Sequence, residues 1–432
     1  MSIPKAIEAV QKISTKLVAL PDSEEYNEII KSYYTELERE LRPACFLTPY
    51  SPGDVADILK ALKPLLDSPV VAIAGAGQQT TPGAANIQGG ITIHLRNLRG
   101  IDIDEEHKTI SVGAGENMGH VYEKAAAMGL GVAGNRHARG GIGGEALQGG
   151  LSYYSYSRGF ICDGIVNYQV VLASGEIVDA NAETNRDLWI ALRGGGNNFG
   201  IVTRFDFTAF PQGQLWGGKV YYFESSFPGQ IKSLVDYLHE PNPDVDVHIC
   251  LSLGYAATLG STVCMNDIFS LKPEKPKSLE LFADIDPQIE QMKTLRVASL
   301  KDLTTEIFEG AFANRVVKMT TTVKSDTNIL EYAVQTYHEA FKELKDIENI
   351  LFSLTFEPIP IYSVNKAAIK RLESEAQSNN VSVPYLYLNY GFPHQDVMRS
   401  YGSASLDHLR KASSKYDPDG FFQKAGAGLF KL

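Results

Sequence analysis

Cysteine is scarce, with four in 432 residues. Cys45, Cys162, Cys250 and Cys264 are too scattered for a C-x-x-C metal knuckle or a disulfide framework. Buried structural thiols are the expected reading. Basic charge is also short: 40 Lys and Arg stand against 51 Asp and Glu, a net charge of −11, with no long basic tract. Nucleic acid is therefore not an expected partner. No apolar run approaches the roughly 20 residues that span a bilayer, and the start, MSIPKAIEAVQKI, lacks the unbroken apolar core of a secretory signal. A soluble, cytoplasmic protein without a membrane partner is expected. The nine histidines show no pair at metal-ligand spacing, and the chain has no Gly-x-Ser-x-Gly elbow of an acyl hydrolase.

What is present is enough apolar residue, 44% of the chain, to bury a sizeable core. Ile3, Ile7, Val10, Ile13 and Leu17 fall near one helical stripe, and Ser51-Pro52 opens a second helix through Val55, Ile58, Leu59 and Leu62. From Val70 the pattern turns to short strands, Val70 to Ala74, Ile91 to Leu95 and Thr109 to Gly113, with one helix near Met118 to Ala127. A hairpin turning at Ala173-Ser174-Gly175-Glu176 follows, then a strand from Gly200 to Phe210. Pro211-Gln212-Gly213 marks a boundary. Beyond it glycines thin out, a long strand covers Val245 to Tyr255, and amphipathic helices lie near Gln230 to His239 and Asn328 to Leu344. The expectation is an α+β fold divided into 1–212, 213–395 and a C-terminal segment, 396–432.

Glycine carries the functional signal: eight of the twenty positions from Gly131 to Gly150 are glycine. One loop, Gly75-Ala76-Gly77-Gln78-Gln79-Thr80-Thr81-Pro82-Gly83, directly follows a strand and leaves amide N–H groups unshielded. Such a nest suits phosphate oxygens, though a tight structural turn explains it equally well. It has neither the closing Gly-Lys-Ser/Thr of a P-loop nor the third glycine of a dinucleotide fingerprint, since Thr80 stands there. A second stretch runs from Gly140 and Gly141 through Gly144 to Gly149 and Gly150, and a third is Arg193-Gly194-Gly195-Gly196-Asn197-Asn198-Phe199-Gly200. A large flat ligand would account for the entropy that so many glycines forfeit on folding.

In order and spacing these loops, with Tyr387-Leu388-Asn389-Tyr390 and Tyr416-Asp417-Pro418-Asp419-Gly420, resemble the berberine bridge enzyme-like FAD-linked oxidases of the vanillyl-alcohol oxidase superfamily, in their fungal branch. The resemblance covers the chain from about Cys45 to Leu432. It implies a bipartite, PCMH-type FAD-binding fold with a substrate domain of antiparallel sheet backed by helices. It also implies that Gly75, Ala76, Gly77, Gln78 and Gln79 take the pyrophosphate of FAD, that the Gly140 to Gly150 stretch runs along the cofactor, and that Gly200, Ile201 and Val202 meet the adenine end. Asn389 and Tyr390 would approach the isoalloxazine from the other domain.

Two departures bear on attachment. Many relatives tether flavin through a histidine in the first loop, where alignment on Pro82-Gly83 places Gln78. Some add a cysteine where this chain has His137. Glutamine forms no such bond, so dissociable FAD is expected, with His137 beside the ring. The reaction that the resemblance implies is hydride transfer from a small hydroxylated or polyketide-like metabolite to flavin N5, aided by a side-chain base, with O2 as acceptor. Tyr387 is the first candidate base, on a strand whose one face carries Tyr385, Tyr387 and Asn389. Leu151 replaces a tyrosine found in many plant relatives, for which Tyr153 or Tyr154 could compensate. Glu357 is the carboxylate candidate. A redox-neutral cyclase or isomerase in the same cavity, and a flavin or ligand carrier without turnover, are the alternatives.

Overall fold

The computed structural model describes residues 3–65, 70–306, 315–359, 383, 385–393, 395–428 and 430–432. The first helix, Ile3–Ile13, buries Ala6 and Val10 and ends four residues before Leu17. Ser14 takes extended backbone and caps a short 3-10 turn instead, so Leu17 is buried from that turn while Ile13 is left 43% exposed. The helix Pro52–Leu62 starts as its sequence predicts. Ser51 accepts from the Asp54 amide, and the Asp54 carboxylate accepts from the Ser51 amide, which satisfies donors that a bare helix end leaves open.

Among the described residues there are a two-stranded sheet, in which Leu130–Gly131 pairs with Phe210–Pro211, and three larger ones. In the first, Cys45–Leu47, Ile91–His94 and Val71–Ala74 pair in parallel, and Val18–Ala19 adds an antiparallel edge. The second is antiparallel, ordered Ile101–Asp104, Thr109–Gly113, Ile201–Thr208, Ile165–Val171, Ile177–Asn181. The third, also antiparallel, is ordered Arg296–Ala298, Leu215–Phe223, Ser261–Ser270, Val247–Ala256, Leu351–Phe356. Helices and largely antiparallel sheets make this the expected α+β class.

Strand alternation divides the third sheet's faces. Val220, Tyr222, Ile249, Leu251, Leu253, Cys264 and Ile268 pack with the helices Phe227–Leu238 and Thr327–Leu344 in one core. The residues between them therefore point the other way. The C-terminal segment joins the other core, where Leu406, Leu409, Tyr416 and Phe421 pack among the first two sheets. Its last turn adds to the first sheet: the Val71 amide donates to the Ala425 carbonyl at 2.9 Å, and Ala427 returns a bond to Val71 at 2.6 Å. All four cysteines are buried thiols. Among the described residues no helix is long and apolar enough to cross a membrane.

Candidate functional site

A cavity of about 1700 Å³ lies between the glycine loops and the polar face of the third sheet. A pocket for one drug-sized molecule is roughly 300–1,000 Å³, so this space admits a large ligand and a second, smaller one. Gly75, Ala76, Gly77, Gln78 and Gln79 line it from the first loop. His137, Gly141 and Gly144 line it from the second, and Gly200 and Val202 from the third. Tyr387, Asn389, Tyr390 and Glu357 close it from the far side.

The first two loops touch. A Cβ on Gly141 would come within 2.6 Å of Ala76 Cβ and 3.0 Å of the Ala76 nitrogen, so only glycine lets the backbones approach this closely. Among the described residues, the main-chain N–H groups of Ala76, Gly77, Gln78 and Gln79 donate to no protein acceptor. Consecutive unpaired amides facing a cavity are what a diphosphate requires, so the residues present fit FAD. Gln78 itself is held by its side-chain amide, which donates to the Arg139 carbonyl at 3.0 Å.

Gly140, Gly149 and Gly150 shape the wall instead of lining it. The Gly140 carbonyl accepts from the Met118 amide. Gly150, at φ +81°, packs against Ile161 and donates its amide to Asn389 Oδ1 at 3.2 Å. Asn389 in turn donates to the Glu145 carbonyl at 3.3 Å, so this side chain staples two parts of the glycine stretch to the C-terminal half.

The expected strand under Tyr387 is replaced by a 3-10 turn, Leu388–Tyr390, closed by the Tyr390 amide on the Tyr387 carbonyl at 3.0 Å. That turn swings Tyr390 edge-on to Tyr387, with centroids 5.0 Å apart. Tyr385 and Tyr387 still share a cluster with Leu151, Phe160 and Cys162. Tyr154 does not reach the cavity. It is 1% exposed, edge-on to Phe210 at 4.9 Å, and packs in the core. Tyr153 likewise packs on Phe269, centroids 4.0 Å apart, where an aromatic contact outweighs exposure.

Charged groups that sequence reasoning passed over complete the site. Arg136 Nη1 meets Glu357 Oε1 at 2.5 Å, and its Nη2 lies 3.3 Å from both Glu357 Oε2 and the Tyr390 hydroxyl. The Tyr387 hydroxyl donates to Glu145 Oε1 at 3.2 Å, while Asn135 Nδ2 reaches Glu145 Oε2 at 3.4 Å. Burial raises the Glu145 carboxyl above its ordinary range, with Arg136 and Lys318 pulling it back. Burial also holds the Tyr387 phenol well above ordinary tyrosine, and the nearby Glu145 charge adds to this. His137 is pulled down to about 4 by burial, with Arg139 and Lys318 adding repulsion, so it is neutral.

On the sheet itself one cross-strand row carries Lys219, Asp267 and Cys250, and Glu357 comes beside Cys250 because Leu251 pairs with Phe356. Lys219 Nζ and Asp267 Oδ1 are 2.7 Å apart, both side chains 13% exposed. The next row holds Tyr221, Met265, Ser252 and Thr355, whose Ser252 and Thr355 hydroxyls bond at 2.9 Å. The one signal that could have found Glu145 was its position as the sole acidic residue in the Gly140 to Gly150 stretch.

Residues 43–181 match the family model described as an FAD binding domain. The chain is 30% identical to the FAD-dependent monooxygenase tpcD of Cochliobolus heterostrophus, over 93% of this chain and 87% of that one. It is 29% identical to the FAD-dependent monooxygenase sdcF of Emericella nidulans, over 96% and 95%. Among solved structures, 6-hydroxy-D-nicotine oxidase from Arthrobacter nicotinovorans superposes with a TM-score of 0.74 at 19% identity, covering 94% of this chain and 96% of that one. The carbohydrate oxidase of Microdochium nivale does so with a TM-score of 0.72 at 16% identity, covering 99% and 100%. With the amide cradle, the fold and these relatives in agreement, the chain belongs to the family of FAD-dependent monooxygenases that these fungal relatives represent, on the fold that the two oxidases share.

Proposed function

We propose that this chain is an oxidase with dissociable FAD, acting on a hydroxylated or polyketide-like small molecule, and that Tyr387 and Glu145 together remove the substrate proton. When bound, FAD would supply the two-electron acceptor for the hydride that the substrate loses, with O2 as the final acceptor. Ala76 to Gln79 would hold its diphosphate through main-chain amides, with Gly141 keeping that cradle narrow. Val202 and Gly200 would border its adenine end, and His137, Asn389 and Tyr390 its ring.

The observation that carries the proton step is the 3.2 Å bond from the Tyr387 hydroxyl to Glu145. A phenol held this far above ordinary tyrosine is a poor base alone. Joined to a carboxylate whose own affinity for protons is raised, it becomes a relay: Tyr387 oxygen takes the substrate O–H proton as its own proton moves to Glu145. The substrate gives up that proton and a hydride and gains a C=O bond. Glu357, with both oxygens engaged by Arg136, has no such freedom and orients Arg136 beside Tyr390.

Absorbance tests this reading. Purified protein should carry the two bands of oxidised flavin, and substrate should bleach them without air. Acid precipitation should release the colour into the supernatant, since Gln78 offers no tether. Colour that stays with the pellet would point to His137 as an anchor. Turnover after flavin removal would favour a redox-neutral cyclase, and flavin without turnover a carrier.

A further inference from the structure

The cations flanking the cavity are not equivalent. Arg136 is neutralised by Glu357 at 2.5 Å and Lys219 by Asp267 at 2.7 Å. Lys318 is different. Among the described residues it has no carboxylate within 4.0 Å, and its ammonium stands over the Tyr390 ring, 4.6 Å from the centroid. It lines the cavity as an exposed side chain. Burial pulls its ammonium below the ordinary lysine range, with Glu145 and Glu357 opposing the pull. Both of those carboxylates already accept bonds from Tyr387 and Asn135, or from Arg136.

The position is built. On one side of Lys318 the Val316 amide donates to Thr35 Oγ1 at 3.2 Å, and Arg315 pairs with Glu40. On the other, Gln395 Nε2 donates to the Thr320 carbonyl at 3.2 Å. The segment is thus tied to the body of the protein on both flanks, and Lys318 is presented from between the ties. A cation on the cavity wall, with a π face on one side and no carboxylate beside it, is placed to take an anionic oxygen from a ligand.

We propose that Lys318 anchors an acidic oxygen of the substrate, a carboxylate or the enolate of a β-dicarbonyl, next to the Tyr387–Glu145 pair. The proposal rests on the FAD-dependent reading above and narrows its substrate class from hydroxylated metabolites in general to those carrying an acidic group. The Met265 and Tyr221 row offers the remainder of such a molecule a mixed apolar and polar wall.

Calorimetric titration of FAD-saturated protein with benzoate, and with benzyl alcohol as a neutral counterpart, tests this. Native protein and K318R should bind benzoate, K318M should bind it about tenfold more weakly or worse, and benzyl alcohol should not distinguish the three. Equal benzoate affinity in K318M, or no saturable benzoate binding to native protein, would overturn the proposal. So would a K318M protein whose flavin affinity and spectrum change while benzoate affinity does not, because Lys318 would then serve the cofactor. Native protein that carries no flavin fails the earlier reading before benzoate is added, whereas flavin-loaded protein indifferent to K318M fails this one alone.

Discussion

The Tyr387 hydroxyl and the Glu145 carboxylate, 242 positions apart in the chain, are joined by a 3.2 Å hydrogen bond at the wall where the glycine stretch meets the C-terminal half. Removing either end should disable proton transfer and spare cofactor binding. Tyr387→Phe and Glu145→Gln are each expected to lower kcat by about 10²- to 10⁴-fold while flavin absorbance is retained. Because burial raises the Glu145 carboxyl, native activity should fall on the acid side at a pH above the ordinary glutamate range. A pH profile of kcat/KM checks this, and an acid limb unchanged in Glu145→Gln would remove Glu145 from the relay.

Gly141 is predicted to be the glycine least tolerant of a methyl group toward FAD. Its Cβ would stand 2.6 Å from Ala76 Cβ, and the cradle must widen to accept it. Overpacking of this kind costs about 1–3 kcal/mol. If that strain falls on the loop, Gly141→Ala should weaken FAD binding by roughly ten- to a hundredfold. Flavin retention on gel filtration and a fluorescence titration measure it. Gly213→Ala is the control, because nothing lies within 4 Å of its Cβ position and it does not line the cavity.

Arg136 and Glu357 are 17% and 15% exposed, so deleting one leaves the other charge without its partner away from water. Arg136→Ala should destabilise the fold by about 3–5 kcal/mol, and adding Glu357→Gln should recover part of that. Urea unfolding of the native protein, the two single variants and the double variant gives the coupling. A double variant that loses as much as the sum of the singles would mean the pair carries no interaction of its own.

Glu38 supplies a separate pH effect, remote from the chemistry. Its side chain is fully buried, with Oε1 accepting from the Ala85 amide at 3.1 Å, and burial raises the carboxyl from 4.5 to about 7. Between those values the native state keeps a proton that the unfolded chain releases, so the contribution of Glu38 to stability is greatest below 4.5 and falls as pH rises toward 7. The loss is about 3 kcal/mol at most. His94 acts in the opposite sense: burial pulls it from 6.5 to about 3, so stability is lost as pH drops below 6.5. Comparing denaturation midpoints of native protein and Glu38→Gln cancels the histidine effect. The advantage of the variant should grow across that window, and a constant difference would show that Glu38 does not titrate there.

Local signals were the legible ones. The strand Thr109–Gly113 and the turn after Val171 follow from alternation and turn residues, which act on near neighbours. The helix at Pro52 follows from its capping box. Where two local tendencies competed, tertiary packing decided. The Tyr385 to Asn389 alternation reads as a strand, yet Leu388–Tyr390 coils into a turn because Asn389 is claimed by Gly150 and Glu145. Tyr154 looks like a site aromatic from its place after the glycines, but a side chain's direction depends on the turn that carries it, and this one points at Phe210.

The sequence by itself determined that backbone would crowd at glycine-dense bends, since composition and short-range spacing govern this. Only the tertiary structure decided which charges face the cavity. Arg136 and Glu357 are 221 positions apart, and neither carries a local mark of the other. An ion pair, a relay or an unmatched ammonium exists only once separate strands and loops enclose a space from which water is largely removed, because there a missing partner becomes costly.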